Sequence, residues 1–315
     1  MPDFNALYKN CKLCPRDCRI DRTQNQRGFC GEKDKLKIAI ACLHLGEEPP
    51  LSGENGSGTI FFTGCTLKCE FCQNCQLSHE SLGAEVTCQE LADIMLRLQN
   101  AGAANINIVT GTHFAPGIKE ALLLAKKQNL SLPILWNTSG FESLATLQFL
   151  EDVIDIYVPD LKSLDKEISR KFFHHSGYPE AATQGILYML KAKPLIYQGD
   201  LLKQGVLVRH LALPGYIQAS KDVLRWFADH LQGRGLFSLM FQYSALPQDN
   251  LIQPQGSISE AESQELLKTL DELGLEEGFV QELETDTQWL PDFNKQSPFP
   301  PGFSRTLWHF NDEDR

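Results

Sequence analysis

The chain has 315 residues, 42% of them hydrophobic and 22% charged, enough for one large α/β domain with additions or for two modest domains. Its formal net charge of −11 argues against a general nucleic-acid binder, which needs a basic surface to displace phosphate counterions. No run approaches the ~18 uninterrupted apolar residues of a membrane span.

The first twenty residues lack the apolar stretch of a signal peptide, so the expected location is the cytoplasm. In a reducing compartment ten cysteines point to metal ligation or catalysis rather than disulfides. Eight of the ten precede residue 73, which argues for sites rather than scattered core thiols.

Residues 1–57 carry the series Cys11-x2-Cys14-x3-Cys18-x11-Cys30, several turns and little periodicity apart from a strand at 35–43. They read as a small metal-stapled lead-in. From residue 58 short apolar runs alternate with helical stretches, the pattern of parallel strands joined by crossover helices. Strands are predicted at 59–63, 105–111, 133–138, 154–159, 205–213 and 236–243. Helices are predicted at 87–100, 116–128, 142–150, 165–173, 179–192 and 218–231. A last helix at 260–273 has a capping box, Ser259 with Glu262, and Gly274 as its stop. The Pro-rich then acidic tail is expected either to wrap the surface or to be partly mobile. The domain reading is therefore 1–57, 58–285 and 286–315.

Six alternating β/α units suit either an open doubly wound sheet or an incomplete barrel, and in both the chemistry gathers at the carboxyl ends of the strands. The unusual residues fall there: the cysteine loop after the first strand, Thr112 and His113, then Asn137 and Thr138, then Asp160 and Lys162. Cys65-x3-Cys69-x2-Cys72 must curl around whatever it binds. A structural zinc wants four ligands, whereas three thiolates on a cubane cluster leave one iron open to another ligand.

With Phe71 inside it, this loop resembles the signature of the radical S-adenosylmethionine (SAM) superfamily, and "GCTLKCEFCQN" is similar to its pyruvate formate-lyase activating enzyme branch. "CKLCPRDC", "EEPPLSG", "GSGTIFFTGC", "NINIVTGTHF", "DIYVPDLKS", "VRHLALPG" and "LMFQY" resemble, in that order, the PflX-like subgroup. The resemblance implies a partial (β/α)6 barrel with a small Cys-rich N-terminal extension. It also implies a [4Fe-4S] cluster on Cys65, Cys69 and Cys72 that cleaves SAM to a 5′-deoxyadenosyl radical for hydrogen abstraction. The implied partners are an electron donor such as flavodoxin or ferredoxin and, for a true activating enzyme, a glycyl radical enzyme; no nucleic acid and no membrane are expected. The alternatives are radical chemistry on a small molecule and a non-catalytic iron–sulfur or zinc protein.

The resemblance puts Phe71 against the adenine and has Lys162 support SAM, with Asp160 close by. Arg209 lies in an apolar strand and needs a carboxylate partner, either in the SAM region or in a structural ion pair. Where many activating enzymes carry a Gly-Gly-Glu-type stretch, this chain has Thr110-Gly111-Thr112-His113, so Thr112 and His113 are candidate SAM contacts, as are Asn137 and Thr138. Cys11, Cys14, Cys18 and Cys30 suit structural zinc or a closed auxiliary cluster. Cys42 and Cys88 read as small buried hydrophobes, and Cys75 is left unassigned.

Overall fold

The computed structural model describes residues 4–246, 252–283 and 290–312. In chain order its strands are β1 (Leu36–His44), β2 (Ser57–Phe62), β3 (Ala84–Val86), β4 (Ile106–Val109), β5 (Ile134–Thr138), β6 (Ile156–Pro159), β7 (Ile196–Gln198), β8 (Leu201–Leu211), β9 (Leu236–Met240), β10 (Gly278–Val280) and β11 (Ser304–His309). The helices are α1 (Pro49–Ser52), α2 (Cys75–Ser78), α3 (Cys88–Asn100), α4 (Ala115–Lys127), α5 (Leu144–Leu150), α6 (Lys166–Phe173), α7 (Tyr178–Ala192), α8 (Ile217–His230) and α9 (Glu260–Leu273). No helix among the described residues is long and apolar enough to cross a membrane.

The strands lie in the order β10-β9-β8-β6-β5-β4-β2-β1-β11, and every pair from β2 to β10 is parallel. That order runs steadily in one direction along the chain. A doubly wound sheet reverses at a switch point, whereas a steady order with crossovers of one hand keeps the helices on one face and leaves the other concave. The chain is therefore an α/β protein with an open, partial barrel, and the choice that periodicity left open is made by strand order.

All six predicted parallel strands form. The second stops at Val109, two residues early, because Thr110 takes a left-handed φ of +59° that ends the ladder. The fifth begins earlier, since a hairpin through Gly199 (φ +60°) pairs β7 with β8. The helix α9 has the predicted capping box, and Gly274 closes it at φ +62°.

Side chains alternate across the sheet. Ile108, Trp136, Tyr157, Val206 and Val208 pack toward the helices in the large core. Leu135, Ile156, Val158 and Leu207 face the concave side, where Leu51 of α1 covers them. A third cluster, with Ile40, Cys42 and Phe61, is covered by Phe293, Phe299 and Phe310 from the tail.

The two ends of the chain also build the sheet. β1 pairs antiparallel with β2 and with β11, so the tail covers an edge that would otherwise present unpaired backbone groups. Trp308, opposite Ala41 in this ladder, is 5% exposed. Replacing Trp308 with Ala is expected to lower the unfolding free energy by ~3–5 kcal/mol, read as a lower urea midpoint. An unchanged midpoint would mean that the tail strand contributes nothing to the core.

Candidate functional site

The cysteine loop leaves β2 at its carboxyl end. Gly64 starts it at φ +83°, where an added Cβ would fall 2.5 Å from Glu32 Cγ and 2.9 Å from the Cys30 carbonyl oxygen. Lys68 then takes a left-handed φ of +52°, which curls the chain between the first two thiols. The Leu67 and Lys68 backbone N–H groups point at Cys65 Sγ, at 3.4 and 3.5 Å. The loop is anchored from outside by the Glu70 N–H, which donates to the Phe172 carbonyl at 3.1 Å.

Burial pushes all three thiols upward in pKa, with Cys72 adding to the shift at Cys65, Cys65 and Cys72 at Cys69, and Cys75 at Cys72. Against this, backbone N–H groups lower Cys65, Lys162 lowers all three, and the Ser78 hydroxyl and the Asn74 N–H lower Cys72. Thiols gathered in one buried loop, with amide hydrogens pointing at Cys65 and a lysine charge close by, hold sulfur as thiolate once a metal is present. The donor set fits an iron–sulfur cluster. Among the described residues no three Cys, His, Asp or Glu side chains are grouped closely enough to hold a single metal ion.

Asp160 and Lys162 come from the end of β6, on the concave side with Val158. Lys162 Nζ donates to Asp160 Oδ2 at 2.6 Å. Burial works against its ammonium, yet Asp160, Cys69 and Tyr178 hold its pKa above the ordinary lysine value. The Tyr178 hydroxyl accepts from the Lys162 N–H (3.0 Å) and lies within donating distance of the Ser139 (3.0 Å) and Asp160 (2.8 Å) carbonyls. It thereby ties the ends of β5 and β6 together. Asn137, half-exposed, shares the concave face with Leu135. Phe71 is 8% exposed and meets Phe172, Phe173 and Tyr243 edge-on at 5.8, 6.1 and 5.5 Å between ring centroids.

Other predicted residues are engaged elsewhere. Thr112 Oγ1 donates to Glu142 Oε1 at 2.5 Å, and Thr138 Oγ1 and Trp136 Nε1 share that oxygen. Their hydroxyls therefore lie on the Trp136 side of the sheet, between strands and helices. Burial pushes the Glu142 carboxyl up in pKa despite these donors. His113 Nε2 sits 2.7 Å from the Thr63 carbonyl, and burial, with Arg22 adding to it, pushes its pKa down to about 3. It is a neutral ring buttressing the residue before the loop. Arg209 is committed to Glu47 and Glu48, the second of which also hydrogen-bonds Ser238, while Glu47 accepts from Asn107 at 2.8 Å. This is the structural ion-pair arrangement. Cys42 is fully buried, as expected, but Cys88 is half-buried at the start of α3.

Four functional neighbours escaped the sequence reading: Glu142, Tyr178, Arg16 and Arg22. Arg16 donates to the carbonyls of Thr66 (3.0 Å), Leu67 (3.5 Å), Phe173 (3.0 Å) and His174 (2.6 Å), and so staples the N-terminal cysteine segment to the cluster loop. Its only sequence signal was its place inside "CPRDC".

The sequence pattern described as the Radical SAM superfamily matches residues 59–216, about half of the chain. The chain belongs to the radical SAM superfamily. The protein MJ0674 of Methanocaldococcus jannaschii, described as uncharacterized, is 27% identical over 244 residues, 75% of this chain and 67% of its own. Among solved structures, Streptococcus suis SuiB bound to S-adenosylmethionine aligns at a TM-score of 0.51 and 13% identity, over 69% of this chain and 48% of SuiB. SuiB bound to its precursor peptide SuiA aligns at 0.51 and 12%, over 69% and 46%. The radical SAM chain thus spans about half the length of these solved relatives, and at such identity they share its fold.

Two measurements check this site. Replacing Arg209 with Met leaves two buried carboxylates unpaired and is expected to destabilise the fold by ~3–5 kcal/mol; adding Glu47→Gln and Glu48→Gln should restore most of it. His113 and His210, the latter pushed down to about 4 by burial, stay neutral when folded but take up protons once unfolded below about pH 6.5. Their stabilisation is complete above that pH and is lost as pH falls from there toward 4, at up to ~1.4 kcal/mol per pH unit for each ring. His210→Gln should therefore flatten the fall in unfolding midpoint between pH 7 and pH 5.

Proposed function

We propose that this protein is a radical SAM enzyme of the activating-enzyme type, abstracting a hydrogen atom from a glycine of a partner enzyme in the cytoplasm. The observation that carries the chemistry is the convergence of Cys65, Cys69 and Cys72 with the Asp160–Lys162 pair at the carboxyl end of the parallel sheet. The likeness of "GCTLKCEFCQN" to the pyruvate formate-lyase activating enzyme branch, and of the motifs from "CKLCPRDC" to "LMFQY" to its PflX-like homologues, supports the finer reading. The thiolates of Cys65, Cys69 and Cys72 would hold a [4Fe-4S] cluster, which would supply one-electron reductive cleavage of SAM for hydrogen abstraction, the electron coming from a flavodoxin- or ferredoxin-class donor.

The chain's own residues bind and orient. Lys162, kept charged by Asp160, offers an ammonium to the carboxylate of the methionine moiety. Phe71, locked by three aromatic rings, supplies a rigid apolar wall for the adenine. Asn137 offers amide hydrogen bonds on the concave face. The backbone N–H groups on Cys65 and the Ser78 hydroxyl near Cys72 stabilise anionic sulfur without adding a competing ligand. Thr112, His113 and Thr138 act behind this surface, through the partners they already hold, while Arg209, on the concave face, is held by Glu47 and Glu48.

Anaerobic reconstitution followed by reduction with SAM is expected to yield 5′-deoxyadenosine, and to yield none from the Cys69→Ala variant. No deoxyadenosine from the wild type under any reductant would leave a binding protein instead. Lys162→Met should weaken SAM binding at least tenfold, from the ~1.5–3 kcal/mol of a charge-assisted hydrogen bond, with iron content unchanged. A glycyl radical in the partner's electron paramagnetic resonance (EPR) spectrum would establish the activating role, and deoxyadenosine without it would point to a small-molecule substrate.

A further inference from the structure

Arg16 reaches the cysteine loop from the N-terminal segment, at a tight turn closed by the Asp17 N–H on the Cys14 carbonyl at 3.1 Å. Its Nε donates to the Thr66 carbonyl (3.0 Å) and its Nη2 to the Leu67 carbonyl (3.5 Å). Nη2 also donates to the Phe173 carbonyl (3.0 Å), and Nη1 to the His174 carbonyl (2.6 Å). The last two acceptors belong to the end of α6, where carbonyls lack partners within the helix. The guanidinium carbon stands 3.6 Å from the centroid of the Phe29 ring. A helix end, an aromatic face and the loop itself thus fix the arginine from three sides.

A peptide unit is planar, so a group that fixes its carbonyl also fixes the N–H on the opposite side. The Thr66 carbonyl shares a peptide unit with the Leu67 N–H, and the Leu67 carbonyl shares the next one with the Lys68 N–H. Those two N–H groups are the ones that point at Cys65 Sγ, at 3.4 and 3.5 Å. Arg16 therefore grips from behind both amides that face the first thiol of the loop. A cation on the carbonyl also polarises the amide and strengthens its N–H as a donor.

Hydrogen bonds to sulfur are among the terms that set the potential of an iron–sulfur cluster. Reduction adds negative charge, which such donors stabilise, so better-directed donors raise the potential.

We propose that Arg16 is a positioning residue that raises the reduction potential of the cluster held by Cys65, Cys69 and Cys72, acting on Cys65 through the Thr66–Leu67 and Leu67–Lys68 peptide groups. The inference rests on the radical SAM reading for the cluster itself. It gives the N-terminal segment a part in electron transfer, whatever its own thiols bind.

The test is a redox titration followed by EPR on the full chain, reconstituted without oxygen, with iron per chain and unfolding midpoint measured on the same samples. Arg16→Met is expected to be about tenfold harder to reduce, a potential ~59 mV lower for a one-electron couple. Arg16→Lys keeps the charge but cannot span both peptide groups and the helix end, so its potential should lie nearer that of Arg16→Met than that of the wild type. A wild-type potential in Arg16→Met would overturn the proposal, and so would full restoration by Lys, which would reduce the effect to charge alone. A purely structural role would lower the unfolding midpoint and leave the potential in place. Where Arg16→Met retains no iron, Phe29→Leu decides, since Phe29 is 37% exposed and only steadies the guanidinium. A shift of about threefold in the same direction supports the proposal, and none overturns it. A wild type with no reducible cluster would sink the radical SAM reading and this inference together, whereas a reducible cluster whose EPR spectrum ignores added SAM would sink only the former.

Discussion

Burial makes the Cys65, Cys69 and Cys72 thiols hard to ionise, so nearby positive charge is what a thiolate there depends on. Lys162 reaches the Cys65–Cys72 loop from the end of β6. Arg16 lies between that loop and the N-terminal cysteines, and Arg22 is enclosed behind them. Asp160 holds Lys162, while backbone carbonyls hold both arginines.

The concave face shows a different use of charge. Arg209 and the two glutamates of "EEPP" form a closed group with Asn107 and Ser238, so their charges bind α1's entry segment to the sheet. Such a triad adds little net stability over apolar packing, but breaking it is costly. It fixes one geometry for the segment that covers the concave strands. A similar economy holds behind the site, where Thr112, Thr138 and Trp136 all serve one oxygen of Glu142 and His113 braces Thr63. These residues set where the strand ends stop.

Hydrophobic periodicity predicted the six parallel strands and their helices because each is a local pattern: apolar runs of strand length, amphipathic stretches and a capping box at Ser259. Two boundaries moved for visible reasons, a single backbone conformation at Thr110 and a hairpin that extends the strand in β7–β8. The tail's role as an edge strand was hidden, since β11 pairs with β1 across more than two hundred residues.

The sequence by itself determined the thiol spacing, the β/α alternation and the family, because cluster ligation and strand formation depend on residues a few positions apart. Only the tertiary structure decided which way the strands order, that Arg209 belongs to Glu47 and Glu48, that Thr112 and Thr138 face Glu142, and that Arg16 joins the two cysteine groups. Those outcomes depend on which face of a strand a side chain takes and what distant segment packs against it. Charge pairing in a buried layer is settled by the whole fold, since the partner of a buried ion is whichever group packing brings within reach.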